Sequence, residues 1–142
     1  MEIRQFDDAD RDDVIGLWER CDLTRPWNDP HLDIDRKVAH DPHGFLVGEV
    51  GGRIVATAMY GYDGHRGSVN YLGIDPGVRD GGLGRRLMAE IEERLLAVGC
   101  PKVNLLVRSD NDGVVDFYTR LGYAHDPTSQ LGKRLIDDGP TP

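Results

Sequence analysis

The chain has 142 residues, 39% hydrophobic and 30% charged, with a formal net charge of −8. That length suits one domain spanning 1–142, able to bury a core without disulfides or metals. The acidic balance argues against general affinity for nucleic acid or an anionic membrane, since either needs a basic face.

Cys21 and Cys100 form neither a disulfide framework nor a closely spaced ligand pair, and are read as reduced thiols. His31, His40, His43, His65 and His125 lack metal-ligand spacing, so no metal site is expected. The start, MEIRQFDDADRDD, has no basic, then apolar, signal pattern, and no apolar run approaches membrane-spanning length. The expectation is a soluble cytoplasmic protein.

In chain order, Ile3 to Phe6 reads as a short strand. A helix capped near Asp8 or Asp10 follows, with Val14, Leu17, Trp18 and Cys21 at helical spacing. Leu23 to Pro30, LTRPWNDP, is predicted to be a loop because its prolines and Asn-Asp break any regular pattern. Ile34 and Val38 suggest a second helix after Asp33. Phe45 to Val50 and Arg53 to Tyr62 are strand-like runs joined by Gly51-Gly52, a hairpin signal, and a third strand covers Ser68 to Ile74.

Residues 82–98 place Leu83, Leu87, Ile91, Leu95 and Val98 on one stripe, stopped by Gly99 and Pro101. Lys102 to Val107 reads as a buried strand. Asn111 to Leu121 reads as a helix ended by Gly122, and Tyr123 to Ile136 as a closing hairpin of strands. This order predicts an α/β (α+β) fold with a mixed sheet and helices on both faces. The strands on either side of helix 82–98 should be parallel neighbours, because strand-helix-strand units close that way.

The chemistry concentrates in Ile74 to Met88, IDPGVRDGGLGRRLM. A helix N-terminus already carries partial positive charge and unpaired N–H groups, yet here it is crowded by Arg79, Arg85 and Arg86. Gly81, Gly82 and Gly84 let successive N–H groups converge on one oxygen cluster, a nest suited to phosphate. The alternative is a tight connection with solvated arginines. Neither GxxxxGK[ST] nor GxGxxG in its usual setting is present.

Arg79-x-x-Gly82-x-Gly84, preceded by Leu72-Gly-Ile-Asp-Pro76, resembles the acyl-CoA motif of the GNAT N-acetyltransferase superfamily. Asn111-x-x-Val114-x-x-x-Tyr118-x-x-x-Gly122-Tyr123 resembles that family's downstream helix. The resemblance spans essentially the whole chain, and WERCDLTRPWNDP with GYDGHRG is similar to the YpeA-type branch of small bacterial members. It implies a mostly antiparallel sheet of six to seven strands, splayed between two parallel central strands. It also implies acetyl-CoA as cosubstrate, with its pyrophosphate on the N–H groups of Asp80, Gly81, Gly82, Leu83, Gly84 and Arg85, beside Arg79. Leu72, Gly73 and Ile74 would pair with the pantetheine arm, Asn111 would lie near that arm and Tyr118 beside the sulfur. A homodimer is compatible with the family.

Acyl transfer to an amine needs a free amine, a held carbonyl and a stabilised thiolate. Tyr118 is the candidate catalytic acid, the alternative being a tyrosine that packs inward beside Val114 and Val115. An alkyl amine with pKa near 10.4 is neutral in only about one molecule in 2500 at pH 7, a cost of about 4.6 kcal/mol unless a base or desolvation helps. SVNYLGI and KVNLLV carry no acid, unlike the central strands of some relatives. Asp63, His65 and Glu49 remain as bases acting through water, or as solvated turn and strand residues.

On the acceptor side Trp27 could stack on a substrate, while Asp29, Asp33 and Asp63 could draw a cation. The expected activity is N-acetyl transfer from acetyl-CoA to a primary amine of a small molecule or peptide. The competing readings are an acyl-CoA-sensing module without turnover and a partner-binding domain whose glycine turn is structural.

Overall fold

The computed structural model describes residues 1–108 and 111–140, and of Asp80 only the backbone. Its elements are β1 (Glu2–Gln5), α1 (Arg11–Arg20), α2 (Pro30–His40), β2 (Phe45–Val50), β3 (Arg53–Tyr62), β4 (Gly67–Ile74), α3 (Leu83–Ala97), β5 (Val103–Leu105) and α4 (Asp112–Arg120). Short 3-10 turns precede α1, β2 and α3. No helix among the described residues is long and apolar enough to cross a membrane.

The sheet order is β1-β2-β3-β4-β5, antiparallel throughout except for the parallel pair β4 and β5. The hairpin at Gly51-Gly52 turns through two left-handed residues, φ +58° and +76°, which only glycine adopts without strain. Successive side chains of β2 point to opposite faces, and both faces are covered. Phe45 and Val47 pack with Val14, Leu17, Trp18 and Ile34 under α1 and α2. Leu46 packs with Leu87, Met88, Ile91 and Leu95 of α3 and with Tyr118 of α4. Each fully buried leucine or isoleucine on the α3 stripe contributes about 2 kcal/mol.

α1 starts where expected, with Asp10 at its N-cap position. Asp7 caps the preceding 3-10 turn by accepting from the Ala9 N–H, while the Asp10 carboxylate closes a capping box and takes Arg4 at 2.8 and 2.9 Å. Two expectations need correction. α2 begins inside the expected loop, at Pro30: Asp29 caps it by accepting from His31 N and Leu32 N, and proline at the first helical position gives up an N–H that has no intrahelical acceptor. Residues 123–136 form no strand, so the sheet has five strands among the described residues rather than six or seven. Pro127 and Gly132 interrupt that segment, removing a ladder donor and weakening any strand there. Leu131 and Leu135 stay 95% and 87% exposed. The segment crosses instead to α2, where Arg36 donates to Asp138 at 2.8 and 2.7 Å.

Candidate active site

The site is built where β4 runs into α3. Asp75 is buried at this junction: its N–H donates to Val55 O, and its carboxylate accepts from Gly77 N, Arg20 and Arg53 at 2.9, 3.1 and 2.9 Å. The Gly77 hydrogen bond and the two guanidiniums hold its pKa below the usual carboxylate range. That fixed corner leads into the 3-10 turn Pro76–Gly81, which contains Asp80, and then into Gly82 with φ +73°.

The N-cap residue of α3 is Gly82, which has no side chain to offer, and the first turn contains no acid. The first intrahelical bond is Arg86 N to Gly82 O at 3.1 Å, so the N–H groups of Leu83, Gly84 and Arg85 have no acceptor within the helix itself. Arg85 and Arg86 are exposed beside them. The three glycines divide the work. Gly82 supplies the left-handed cap, and a Cβ on Gly84 would stand 3.0 Å from Phe117 Cζ, so glycine there lets α4 seat against α3. Gly81 meets no such limit. Arg79 turns back to donate from Nε to Ile74 O at 3.1 Å, beside the Cys21 thiol.

β4 and β5 are paired only at Gly67, Ser68 and Val69, opposite Val103, Asn104 and Leu105. From Asn70 to Ile74, including Leu72 and Gly73, β4 has lost its β5 partner, while Asn70, Gly73 and Ile74 remain paired to β3. The register shifts between Thr57 and Met59, and opposite that shift Tyr71 takes φ +52°, a costly conformation for a bulky residue. The bulge therefore sits where the two parallel strands part. Sequence reasoning missed it, although the apolar positions change parity there, Val69 and Tyr71 giving way to Leu72 and Ile74.

α4 brings two further candidates. Asn111 caps the helix, its Oδ1 accepting from Val114 N at 3.3 Å. Tyr118 is 8% exposed, edge-on to Phe117 and Tyr123, and its hydroxyl has no hydrogen bond to another described residue. Burial pushes its pKa up to about 12. It lines a cavity of about 600 Å³ with Val103, Asn104 and Leu105 on the free edge of β5.

The acceptor candidates are dispersed. Asp63 and His65 occupy the β3–β4 turn, at the end of β4 that is still paired to β5. Asp63 accepts from Arg66 N and His65 N, which hold its pKa low. Glu49 is paired with Arg4. Trp27 is half-buried in the segment before α2. A second cavity, about 450 Å³, is lined by Leu23, Asn28, Asp33, Met59, Asn70 and Tyr71. There Tyr71 stacks on Trp18 at 3.9 Å between ring centroids and donates to Asp33 Oδ2 at 2.5 Å. Among the described residues no cluster of His, Cys, Asp or Glu is arranged to hold a metal.

The model of the acetyltransferase (GNAT) family matches residues 11–123. An acetyltransferase of Yersinia enterocolitica is 55% identical over 138 residues, 97% of this chain and 98% of that one. The crystal structure of Ard1 from Thermoplasma volcanium superimposes with a TM-score of 0.73 at 25% identity, covering 87% of this chain and 82% of that one. Naa20 of Chaetomium thermophilum, solved in complex with a bisubstrate analogue, has a similar fold, with a TM-score of 0.70 at 23% identity over 87% of this chain and 71% of that one. The chain belongs to the GNAT family and is an acetyltransferase.

Proposed function

We propose that the protein transfers an acetyl group from acetyl-CoA to a primary amine of a small molecule or a peptide. The observation that carries this reading is the glycine-capped start of α3, where the N–H groups of Leu83, Gly84 and Arg85 have no intrahelical acceptor, next to the edge of β4 that β5 leaves from Asn70 to Ile74. These features fit the donor: converging N–H groups and a helix dipole suit its diphosphate, and a free strand edge suits its amide-bearing arm. When bound, acetyl-CoA supplies the activated acyl group.

The chain's own residues then position and shield. Gly82 to Arg85 offer main-chain donors, and Arg85 adds charge that no carboxylate of the first turn offsets. Leu72, Gly73 and Ile74 offer strand-edge groups, while Asn111 orders α4. Tyr118, with its pKa raised to about 12, keeps its proton at neutral pH. Full transfer to a thiolate of pKa about 8.5 would be uphill by about 5 kcal/mol, so the phenol donates a hydrogen bond to developing negative charge. Asp63, His65 and Trp27 remain acceptor-side candidates from sequence, though Asp63 and His65 lie at the closed end of β4.

Unfolding measured with and without CoA, followed by turnover on a panel of amines, tests the proposal. CoA at one hundred times its dissociation constant should add about 2.7 kcal/mol of stability, and amines should be acetylated. Tyr118→Phe should lower kcat about tenfold or more with the CoA shift retained. No CoA shift and no turnover would reject the reading, and a Tyr118→Phe variant at the parent rate would reject the role of the phenol.

A further inference from the structure

We propose that the cavity beside the β4 bulge receives the acceptor and that Asp33 makes it select amines bearing a second cationic group; this rests on the acetyl-transfer reading above. At about 450 Å³ the cavity is of small-molecule size. Asn70 and Tyr71, two of its lining residues, are the first residues of β4 beyond Val69, the last that pairs with β5. The cavity wall therefore includes the point where the strands part. Leu23 and Met59 give it an apolar wall for a carbon chain, and Asn28, Asn70 and Asp33 give it polar ends.

Asp33 is the charge among the lining residues, and its position is set in advance. Tyr71 Oη donates to Oδ2 at 2.5 Å, and the Tyr71 ring is itself held on Trp18. Arg36 is the nearby cation, but its two short bonds, 2.8 and 2.7 Å, go to Asp138, and it reaches Asp33 only at 3.3 Å. Asp138 also has Arg134 at 3.8 Å. The crossing C-terminal segment thus divides the Arg36 guanidinium between Asp138 and Asp33, with the shorter bonds to Asp138. A carboxylate oriented by a phenol, sharing its guanidinium with a second carboxylate and lining a cavity with apolar walls, is matched by an ammonium. The reacting amine must be neutral in the cleft, so the cation held by Asp33 is a second one. Tyr71 is a positioning residue for that carboxylate.

The test compares kcat/KM for putrescine with that for butylamine, which share a carbon chain and differ by one ammonium. The unsubstituted protein should favour putrescine about tenfold or more. Asp33→Asn should bring the ratio toward one with the CoA-induced thermal shift retained, and Tyr71→Phe should lower the ratio less. Equal use of both amines by the unsubstituted protein overturns the inference without needing any variant to fold, and so does an Asp33→Asn protein with an unchanged ratio. Either result leaves acetyl transfer standing. Absence of turnover with either amine, and no CoA shift, rejects acetyl transfer and this inference with it.

Discussion

The N-termini of α2 and α3 solve one physical problem in opposite ways. Both begin with N–H groups that the helix itself cannot satisfy. At α2, Asp29 accepts from His31 N and Leu32 N, Pro30 removes one donor and Asp33 places negative charge in the first turn. At α3, a left-handed glycine stands at the cap, with no side chain of its own to accept, and the turn carries arginines instead of acids. α2 has its cap from the residue that starts it, whereas the start of α3 is where the proposal above places the donor. Replacing a side-chain cap by glycine is a local departure of the kind expected at functional positions.

The contrast can be broken at several points. Gly84→Leu should have the largest effect, because its side chain would enter the space of Phe117 and force α4 away from α3. A loss of about 2–3 kcal/mol in urea unfolding is expected, together with loss of the CoA shift. Gly82→Asp would place a carboxylate at the start of α3, at a left-handed position where an L residue carries some strain but aspartate less than most. CoA affinity should fall about tenfold or more, with stability within about 1 kcal/mol of the parent. Asp29→Ala should do the reverse, costing about 1 kcal/mol while CoA affinity, measured by calorimetry, stays unchanged.

The smallest effect is on pH dependence. Hydrogen bonding to Arg36 lowers Asp138 to about 2, and Gly77 N with Arg20 and Arg53 lowers Asp75. Both carboxylates bind protons more weakly folded than unfolded, so their stabilisation is present above about pH 4 and is lost as pH falls through the lowered values. Unfolding midpoints followed from pH 5 toward pH 2 should fall. In Asp138→Asn that fall should be shallower.

What the sequence revealed and what it hid follow from the range of the interactions. The α3 stripe from Leu87 through Ile91 to Leu95, the Gly51-Gly52 hairpin and the parallel neighbours of α3 rest on local periodicity and connection rules, and the structure has them, whereas Val98, expected on the stripe, lies past the helix and is exposed. The start of α2 was written locally as Asp29-Pro30, but a second proline at Pro26 made the stretch read as loop. The β4 bulge has only a faint local signature, the parity switch from Tyr71 to Leu72, and the positive φ of Tyr71 accompanies a long-range contact, its stacking on Trp18. Nor does spacing distinguish Gly82, needed for its dihedral angle, from Gly84, needed for Phe117. The C-terminal segment read as strands because its apolar residues were counted without the long-range pair Arg36 and Asp138.

The most direct measurement follows backbone amide resonances as CoA is titrated into the 15N-labelled protein. The largest perturbations should fall on Leu83, Gly84 and Arg85, with smaller ones along Leu72 to Ile74 and none at His31 and Leu32. Saturable binding that leaves the α3 amides unmoved, or no binding at all, would contradict the assignment of that helix start as the place where the donor is held.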